Sequence, residues 1–400
     1  MRKPFHVVIA GAGIGGLCLA EGLRNAGLRV SVYERDCSVR SRGQGYRFRI
    51  DPQGDDALQQ CLPPNLYNLY RATANQPSEP PRAAFNHRLE AIYRMPDASG
   101  KTVSANHTAV NRLTLRQVLL GGLTECVYFG YEVVCVEPHG TGIRVRFANG
   151  QSAAGDALIA CDGIHSSVRR QLLPRAEVVD LGMRCIYGKT PLNDEILGWL
   201  PEPLFAGFTP VLGPGRTTLA LGMYRSRQPF LEALAAWAPD VELDAVPDYL
   251  MWMLVYPGEA LPGPGPDADG LHQSALRMVE DWHPDLQRIL RLADVEATFS
   301  VAIRTSRPPD PWHFPNIAFL GDAIHTMTPA GGVGANTALR DAALLTRLLT
   351  AADRAELTLD DALAQYEAEM RDYAFAAVER SLRAAANLYQ IPTSNLEVLS

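Results

Sequence analysis

The sequence lacks three features: a long apolar run, an excess of basic residues and a paired cysteine motif. No segment of its 400 residues offers the roughly 18 consecutive apolar residues that indicate a transmembrane helix. The formal net charge is −7, whereas a nucleic-acid-binding protein needs a basic surface. We therefore expect no stable membrane anchor and no nucleic-acid partner.

Cysteine is too scattered for a disulfide framework or a zinc site. The seven cysteines are odd in number and never form a CxxC pair, which is typical of free thiols in a reducing compartment. We expect no metal and a cytoplasmic location. The opening MRKPFHVVIAGAGIGGLCLA superficially resembles a secretory signal. Its helical periodicity continues without a break into LAEGLRNAGLRVSVYE, so we interpret it as folded structure.

A βαβ unit opens the chain and carries a nucleotide-binding motif. The apolar run 5–10 precedes Gly11, Gly13 and Gly16, which fit G-x-G-x-x-G at the start of a helix. These glycines allow a tight turn, close approach to a pyrophosphate and close helix–strand packing. Glu34, at the end of the second predicted strand, lies near the spacing expected for a carboxylate that binds a ribose. The motif predicts a dinucleotide site suited to FAD or NAD.

The rest of the chain is too long for a single core, so two domains or a large insertion are expected. Residues 65–97 are rich in Pro and Asn with poor periodicity, which predicts an irregular excursion. Residues 177–270 show mixed strand patterns and contain a Pro/Gly-rich stretch. A long amphipathic helix is predicted near the C-terminus, with a capping-box-like start at Thr358 and Asp361.

Three further motifs determine which dinucleotide is bound. Asp162 follows one predicted strand in IACDGIHSSVRRQL, and Asp322 follows another in IAFLGDAIHTMTPAGGVGAN. Arg112 opens the helical pattern NRLTLRQVLL. In this order the motifs resemble those of the FAD-dependent aromatic hydroxylases, the single-component flavoprotein monooxygenases with the para-hydroxybenzoate hydroxylase fold. The resemblance covers nearly the whole chain, although about 177–300 matches only in length and strand content.

The resemblance implies an α/β fold with a discontinuous Rossmann-like FAD-binding domain, an inserted mixed β-sheet substrate domain and a long C-terminal helix. The implied FAD-binding domain comprises residues 1–70, 100–175 and 285–355. The substrate domain comprises 71–99 and 176–284, and the C-terminal helical segment 356–400.

The resemblance also implies roles for individual residues. Asp322 would hold the ribityl chain of FAD, Arg112 the phosphate region, and Asp162 both FAD and a passing nicotinamide. Residues 329–336 would run beside the flavin ring, with a helix N-terminus stabilising negative charge on it. The expected cofactor-binding residues are Gly11, Gly13, Gly15, Gly16, Glu34, Arg35, Gln44, Gly45, Arg112, Asp162, Asp322, Gly334, Ala335 and Asn336.

Each of these roles has a simpler alternative. Asp162 and Asp322 are also suited to cap helices, and Arg112 to a surface position. His325 is expected to be structural rather than a general base, and no general base is identified. Flavin-adjacent catalytic candidates are Arg47, Arg49, Pro329 and Gly334. The two arginines share one face of a strand, where they would meet FAD, an acidic substrate group or solvent.

The function implied is a monooxygenase that uses FAD, NAD(P)H and O2. A flavin C4a-hydroperoxide would transfer one oxygen to an aromatic or polycyclic small molecule. Because only one G-x-G-x-x-G is present, NAD(P)H would be a transient co-substrate. The protein would be a monomer or a homodimer. Residues Tyr187, Met223, Tyr224 and Met253 lie on the central strands and are expected in the core rather than against substrate.

Other functions remain open at this point. The same fold also suits epoxidation, Baeyer–Villiger oxidation or a non-redox cyclisation with FAD as a scaffold. A halogenase is disfavoured because no W-x-W-x-I-P stretch is present. A plain NAD-dependent dehydrogenase is disfavoured by the Asp162 and Asp322 motifs. A binding module with a vestigial cofactor remains a further alternative.

Overall fold

A computed structural model describes residues 4–41, 45–76, 83–94, 108–205, 207–260 and 267–391. The strands are β1 His6–Ala10, β2 Arg29–Glu34, β3 Arg47–Ile50, β4 Ala83–Asn86, β5 Ala91–Arg94, β6 Thr108–Asn111, β7 Val127–Phe129, β8 Val133–His139, β9 Gly142–Phe147, β10 Ser152–Gly155, β11 Ala157–Ala160, β12 Val178–Pro191, β13 Phe208–Leu212, β14 Thr218–Tyr224, β15 Tyr249–Pro257, β16 Asp294–Ser306 and β17 Ile317–Phe319. The helices are α1 Ile14–Asn25, α2 Pro52–Cys61, α3 Pro64–Thr73, α4 Arg112–Leu120, α5 Ser167–Leu172, α6 Asp194–Trp199, α7 Phe230–Trp237, α8 Ala268–Met278, α9 Pro284–Arg291, α10 Gly334–Asp353 and α11 Leu359–Leu388.

A parallel sheet forms the first layer. Within the described ranges it has the strand order β17-β11-β1-β2-β7. Residues 7–10 of β1 have no exposed surface, which explains their uninterrupted apolar run, since a parallel strand is buried on both faces. The sheet combines widely separated stretches of chain, 6–34, 127–160 and 317–319. A small antiparallel sheet, β10-β9-β8, packs into the same core.

A larger mixed sheet forms the second layer, with the order β16-β12-β15-β14-β13-β4-β5 in the part of the chain that the structure describes. Trp252 and Leu254 face one side, where Leu271 of α8 and Leu286 of α9 pack against them. The alternate residues face the other side, toward β3 and α11. The period of two along β12 and β15 therefore separates two cores.

The mixed sheet changes where we draw one boundary. Strand β16 pairs antiparallel with β12 from Ser306↔Val178 to Asp294↔Lys189, although the sequence placed it in the segment 285–355. We therefore propose to count β16 with the substrate-facing sheet. The remaining domain limits stay predictions.

The irregular excursion expected over 65–97 is wrong for its first part. Helix α3 buries Leu66, Leu69, Tyr70 and Thr73, which is the i, i+3, i+4, i+7 pattern of an amphipathic helix. The prolines that suggested irregular structure lie at the start of this helix. Pro64 occupies the first helical position, where it interrupts no hydrogen bond.

The long C-terminal helix is confirmed. At its start the Thr358 hydroxyl accepts from the Asp361 N–H at 3.0 Å and donates to the Asp361 carboxylate at 2.7 Å. Tyr366 donates its hydroxyl hydrogen to the Phe319 carbonyl of the parallel sheet at 2.8 Å. Near the other end, the Leu388 carbonyl accepts from Thr218 of the mixed sheet at 2.9 Å. Helix α11 therefore joins both sheets.

We expect Glu21→Gln to stabilise the protein at pH 8 by about 2 to 3 kcal/mol. Glu21 lies in α1 with 2% of its surface exposed. Burial raises the pKa of its carboxyl to about 7, even though the Gly122 N–H and Arg24 act in the opposite direction. The folded protein holds this proton more tightly than the unfolded chain does. The stability that protonated Glu21 contributes is therefore fully present below pH 4.5 and is lost as pH rises through 7. Urea unfolding at pH 5 and pH 8 measures the difference.

Its control is Glu132→Gln, which removes an exposed carboxylate and is expected to leave stability at both pH values nearly unchanged. Equal stability of wild type and Glu21→Gln at pH 8 would show that the buried carboxylate carries no penalty.

Candidate active site

The sequence motifs meet at one edge of the parallel sheet. Strands β17, β11, β1 and β2 are parallel neighbours, so the residues that follow their carboxyl ends lie side by side. These are Gly321–Asp322, Cys161–Asp162 and Gly11, with Glu34 as the last residue of β2. Ligands of open α/β sheets bind at this edge.

The glycine loop is tight on one side and open on the other. Gly11 has a φ of 108° and lies against the Cys161 carbonyl, while Gly16 lies against the Gly11 carbonyl, so neither has room for a side chain. A Cβ on Gly13 would meet no atom within 4 Å. Gly13 also caps α1 without a side-chain hydrogen bond, so the helix N-terminus is directed at this open space. Gly15 instead packs against Leu320 and Ala338.

Glu34 shapes the loop. Its carboxylate accepts from the Ala12 N–H at 2.7 Å and from the Asp36 N–H at 3.0 Å. Arg116 of α4 lies 3.5 Å from this carboxylate and donates to the Ala12 carbonyl at 2.8 Å. Sequence reasoning assigned no role to Arg116. Its position four residues after Arg112, on the same face of a helix, was the available signal. Arg35 is exposed on the rim.

Asp162 has one satisfied and one unsatisfied carboxylate oxygen. Oδ2 accepts from the Ser167 N–H at 2.8 Å, which is the capping role considered as the alternative. Oδ1 is buried and has no hydrogen-bond partner among the described residues. A buried acceptor without a donor is costly, so this oxygen is suited to accept a hydrogen bond from a bound molecule.

Arg169 holds two of these loops together. It is 5% exposed, and its guanidinium donates to the Ala323 carbonyl at 2.7 Å and to the Ile164 carbonyl at 2.8 Å. It therefore connects the turn after β11 to the turn after β17. The sequence motif contained this residue, but its function as a bridge is visible only in the fold.

Asp322 follows β17 at the carboxyl edge of the parallel sheet. The residue is exposed, yet surrounding protein raises the pKa of its carboxyl, and the charges of His325, Arg112 and Arg169 oppose that rise. The side chain makes no hydrogen bond to any described residue, while its carbonyl accepts from Thr326 at 2.9 Å. Arg112 is half-buried beside it, at the start of α4 and 5.9 Å from the Tyr46 ring centre.

The loop before α10 presents backbone to the same space. Pro329, Gly334 and Ala335 are half-buried, and Val333 is the N-cap of α10 without a side-chain hydrogen bond to the helix. Gly331 and Gly332 have φ values of 85° and 63°, a conformation that favours glycine. The helix thus directs unblocked N–H groups outward.

Asn336 connects this loop to β3. Its side-chain oxygen accepts from the Asp51 N–H at 3.0 Å, and its amide donates to the Arg49 and Gly332 carbonyls, each at 2.9 Å. Protein groups therefore engage both ends of the side chain, which leaves its backbone for the predicted cofactor contact.

The two candidate arginines of β3 have different neighbours. Arg49 is exposed beside Gly332, whereas Arg47 is half-buried and turned toward Gly222 of the mixed sheet. Gly45 is buried, and its carbonyl accepts from Asn111 at 2.9 Å. Gln44 lies outside the described residues.

His325 belongs to a buried network that the sequence did not predict. Its Nε2 lies 2.6 Å from Asp341 of α10, and both side chains are essentially inaccessible. Asp341 also accepts from the Gly321 N–H at 3.0 Å and from the Tyr373 hydroxyl at 2.6 Å. Burial alone would lower the pKa of His325, but the charge and hydrogen bond of Asp341 outweigh it and raise the pKa. The network joins the Gly321 turn to α10 and α11.

Aromatic side chains stand on the mixed sheet opposite β3. Tyr187 and Phe299 are stacked with ring centres 5.0 Å apart, and Tyr46 lies 5.0 Å from Tyr187. Of the central residues named from sequence, Tyr187, Tyr224 and Met253 belong to the core on this face, whereas Met223 packs in the core on the opposite face.

In the described part of the chain, no group of His, Cys, Asp and Glu could hold a metal ion. No helix there is long and apolar enough to span a bilayer.

Comparisons with known proteins agree with this geometry. Residues 274–381 match a family model for an FAD-binding domain, and residues 9–65 match one for an NAD(P)-binding Rossmann-like domain. A crystal structure from Photorhabdus luminescens, provisionally assigned as an FAD-containing monooxygenase, is 30% identical. It superposes with a TM-score of 0.82 and covers 96% of this chain and 98% of its own. The chain belongs to the FAD-dependent monooxygenase family.

Two curated relatives of this monooxygenase family are also similar to the chain. A dual O-methyltransferase/FAD-dependent monooxygenase of Cercospora beticola is 31% identical, over 94% of this chain but 45% of the relative. The chain thus spans about half the length of the first curated relatives it matches. The FAD-dependent urate hydroxylase of Klebsiella oxytoca is 26% identical over 91% of this chain and 85% of its own.

The residues present fit FAD, the cofactor of this family. The open side of Gly13, the unpartnered Asp162 oxygen and the accessible Asp322 carboxylate lie at adjacent strand ends. They offer backbone donors for phosphates and carboxylate acceptors for hydroxyl groups.

Proposed function

We propose that this flavoprotein monooxygenase hydroxylates an aromatic or polycyclic small molecule, with O2 and NAD(P)H as co-substrates. The balanced reaction is R–H + O2 + NAD(P)H + H⁺ → R–OH + NAD(P)⁺ + H2O. One observation carries the proposal: Tyr46 lies 5.9 Å from Arg112, whose charge acts on Asp322, and 5.0 Å from Tyr187 of the mixed sheet. The expected FAD site and an aromatic cluster are therefore adjacent.

Bound FAD would accept the hydride and activate O2. Asp322 and Asp162 would hold its hydroxyl groups, and the N–H groups at the start of α10 would stabilise negative charge on the ring. Tyr46 and Phe299, which are half-buried beside the core residue Tyr187, would orient an aromatic ring and exclude water from the reacting atoms. The similarity to a urate hydroxylase supports this substrate class. With only one G-x-G-x-x-G motif, transient binding of NAD(P)H remains our proposal.

The purified protein should be yellow and should consume NADH or NADPH faster when a suitable phenol or naphthol is added. Under ¹⁸O2 the product should gain one labelled oxygen, because hydroxylation takes that atom from O2 and not from water. Mass spectrometry measures the gain, and NMR of the product separates hydroxylation from epoxidation and Baeyer–Villiger oxidation.

Heat-denatured protein and free FAD at equal concentration are the controls for direct flavin chemistry. A protein that binds no FAD even after reconstitution, or a product without oxygen from O2, contradicts the proposed function.

A further inference from the structure

The face of the mixed sheet opposite β3 has a gap in its side chains. Lys189 of β12, Met251 of β15 and Gly222 of β14 are direct cross-strand partners, so their side-chain positions point to the same face. At Gly222 there is no side chain. The space above it is taken by Arg47 from β3, whose Nη1 is 3.3 Å and Cδ 3.5 Å from the position of an added Cβ.

Arg47 is placed in this space without an acceptor for part of its guanidinium. Its Nε is buried and has no hydrogen-bond partner among the described residues. Burial lowers the pKa of Arg47 to about 10, with Tyr249 acting against that shift and Arg49 adding to it. An arginine so enclosed ordinarily has a carboxylate beside it, because an unpaired buried charge is costly.

Lys189 of β12 is the second cation near Tyr249. Its Nζ lies 4.9 Å from the centre of the Tyr249 ring and 3.2 Å from the position of a Cβ on Gly45, two residues before Arg47. Burial lowers the pKa of Lys189, and the charge of Asp294 acts against this. Across the described ranges, neither Lys189 nor Arg47 has a carboxylate within 4.0 Å.

The polar groups nearby cannot neutralise these two cations. The Tyr249 hydroxyl accepts from Asn111 at 3.1 Å, and burial raises its pKa, so it remains a neutral phenol at physiological pH. The rings of Tyr46, Tyr187 and Phe299 contact one another, and Tyr187 lies two residues before Lys189 on β12, so this aromatic cluster is on the same face as Lys189. The site therefore combines two cations that have no carboxylate within 4.0 Å among the described residues with an aromatic wall.

We propose that Arg47 and Lys189 form a subsite for an anionic oxygen group of the substrate, a carboxylate or an ionised phenol on an aromatic ring. The inference rests on the proposed function, because it names the substrate class of the same cleft. Arg47 would then bind the substrate, whereas Arg49 lies beside Gly332 in the loop before α10. Gly222 is a specificity-determining position, since its missing side chain is what lets Arg47 lie against the sheet.

The test is calorimetric binding to the FAD-loaded protein, which needs no turnover. Benzoate, 2-naphthoate and anthracene-2-carboxylate are each compared with the matching carboxamide, which has the same shape without the charge. At least one carboxylate should bind tenfold or more tightly than its amide. Arg47→Met and Lys189→Met should each weaken the binding of that carboxylate by about 10- to 100-fold, the range for a charged hydrogen bond. The affinity for the matching amide should change little.

Two further variants separate charge from folding. Arg184→Met removes one charge from an exposed part of β12 and should leave the preference intact. Gly222→Val keeps every charge but displaces Arg47, so it should lose the preference as well. Bound FAD and the unfolding midpoint report whether each variant is folded. If Arg47→Met does not fold, Gly222→Val takes its place as the test.

The proposal is overturned if every carboxylate binds no better than its amide, or if folded Arg47→Met keeps the preference. It is also overturned if Arg47→Met releases FAD with the preference intact, because the cation would then serve a cofactor phosphate. A retained preference without any NAD(P)H-driven oxygenation contradicts the proposed function and leaves the anion subsite standing.

Discussion

Replacing Asp322 by Ala should weaken FAD binding by about 10- to 100-fold, the equivalent of one charge-assisted hydrogen bond. The Asp322 carboxylate is exposed within the cleft and makes no hydrogen bond to any described residue. Its removal therefore leaves no protein group unpaired, and the loss should be confined to the cofactor. Flavin absorbance per protein after gel filtration, followed by FAD titration of the apoprotein, measures the change.

Asp322→Asn is the matched variant, because it keeps an acceptor oxygen and loses the charge. It should retain more FAD than Asp322→Ala. Glu379→Ala removes an equally charged side chain from the exposed face of α11 and should remain fully yellow. If Asp322→Ala also keeps its full flavin content and affinity, the carboxylate does not hold the cofactor.

Replacing Asp341 by Ala should lower the free energy of unfolding by about 3 to 5 kcal/mol, as expected when a buried ion pair loses one partner. Asp341 has no exposed surface, and its loss leaves His325, Tyr373 and the Gly321 N–H without their acceptor. The Gly321 turn carries Asp322, so FAD affinity should fall as well. Chemical unfolding of the FAD-free protein measures the stability effect alone.

The pH dependence identifies His325 as the titrating partner. Since its pKa is raised in the folded state, the stability it contributes is fully present below its unfolded pKa of about 6.5. That contribution is lost as pH rises through the higher folded value. Asp341→Asn should abolish this loss, whereas Tyr373→Phe should keep it and cost about 1 kcal/mol for one hydrogen bond. An unchanged pH profile in Asp341→Asn would contradict the charged pair.

Residues whose role depends on neighbours along the chain were predictable. The glycine loop, Glu34, Asp162 and Asp322 each lie at the carboxyl end of a strand, and a strand end is recognisable from a short segment of the sequence. Their exact contacts with FAD remain predictions. Helix α3 was missed although its apolar spacing is regular, because the prolines and asparagines at its start were interpreted as a loop.

Residues that connect distant segments were not predictable. Arg116 reaches the Ala12 loop, Arg169 joins the turns after β11 and β17, and Asp341 joins His325 to Tyr373. The partners in these contacts lie 16 to 154 residues apart in the chain. No spacing rule relates such positions, because they become neighbours only when the sheet assembles.

The sequence by itself determined the βαβ unit, because strand and helix periods and glycine turns are properties of short segments. The family and the cofactor followed from the resemblance of its ordered motifs to those of the FAD-dependent aromatic hydroxylases. Only the tertiary structure decided which polar groups of the site are already hydrogen-bonded to other protein groups. It shows the Asn336 side chain bonded to protein, the Asp162 Oδ1 without a hydrogen-bond partner among the described residues, and the Arg47 guanidinium in the space above Gly222. Whether a polar atom is satisfied depends on the chain packed against it, and for these residues that chain is distant in sequence.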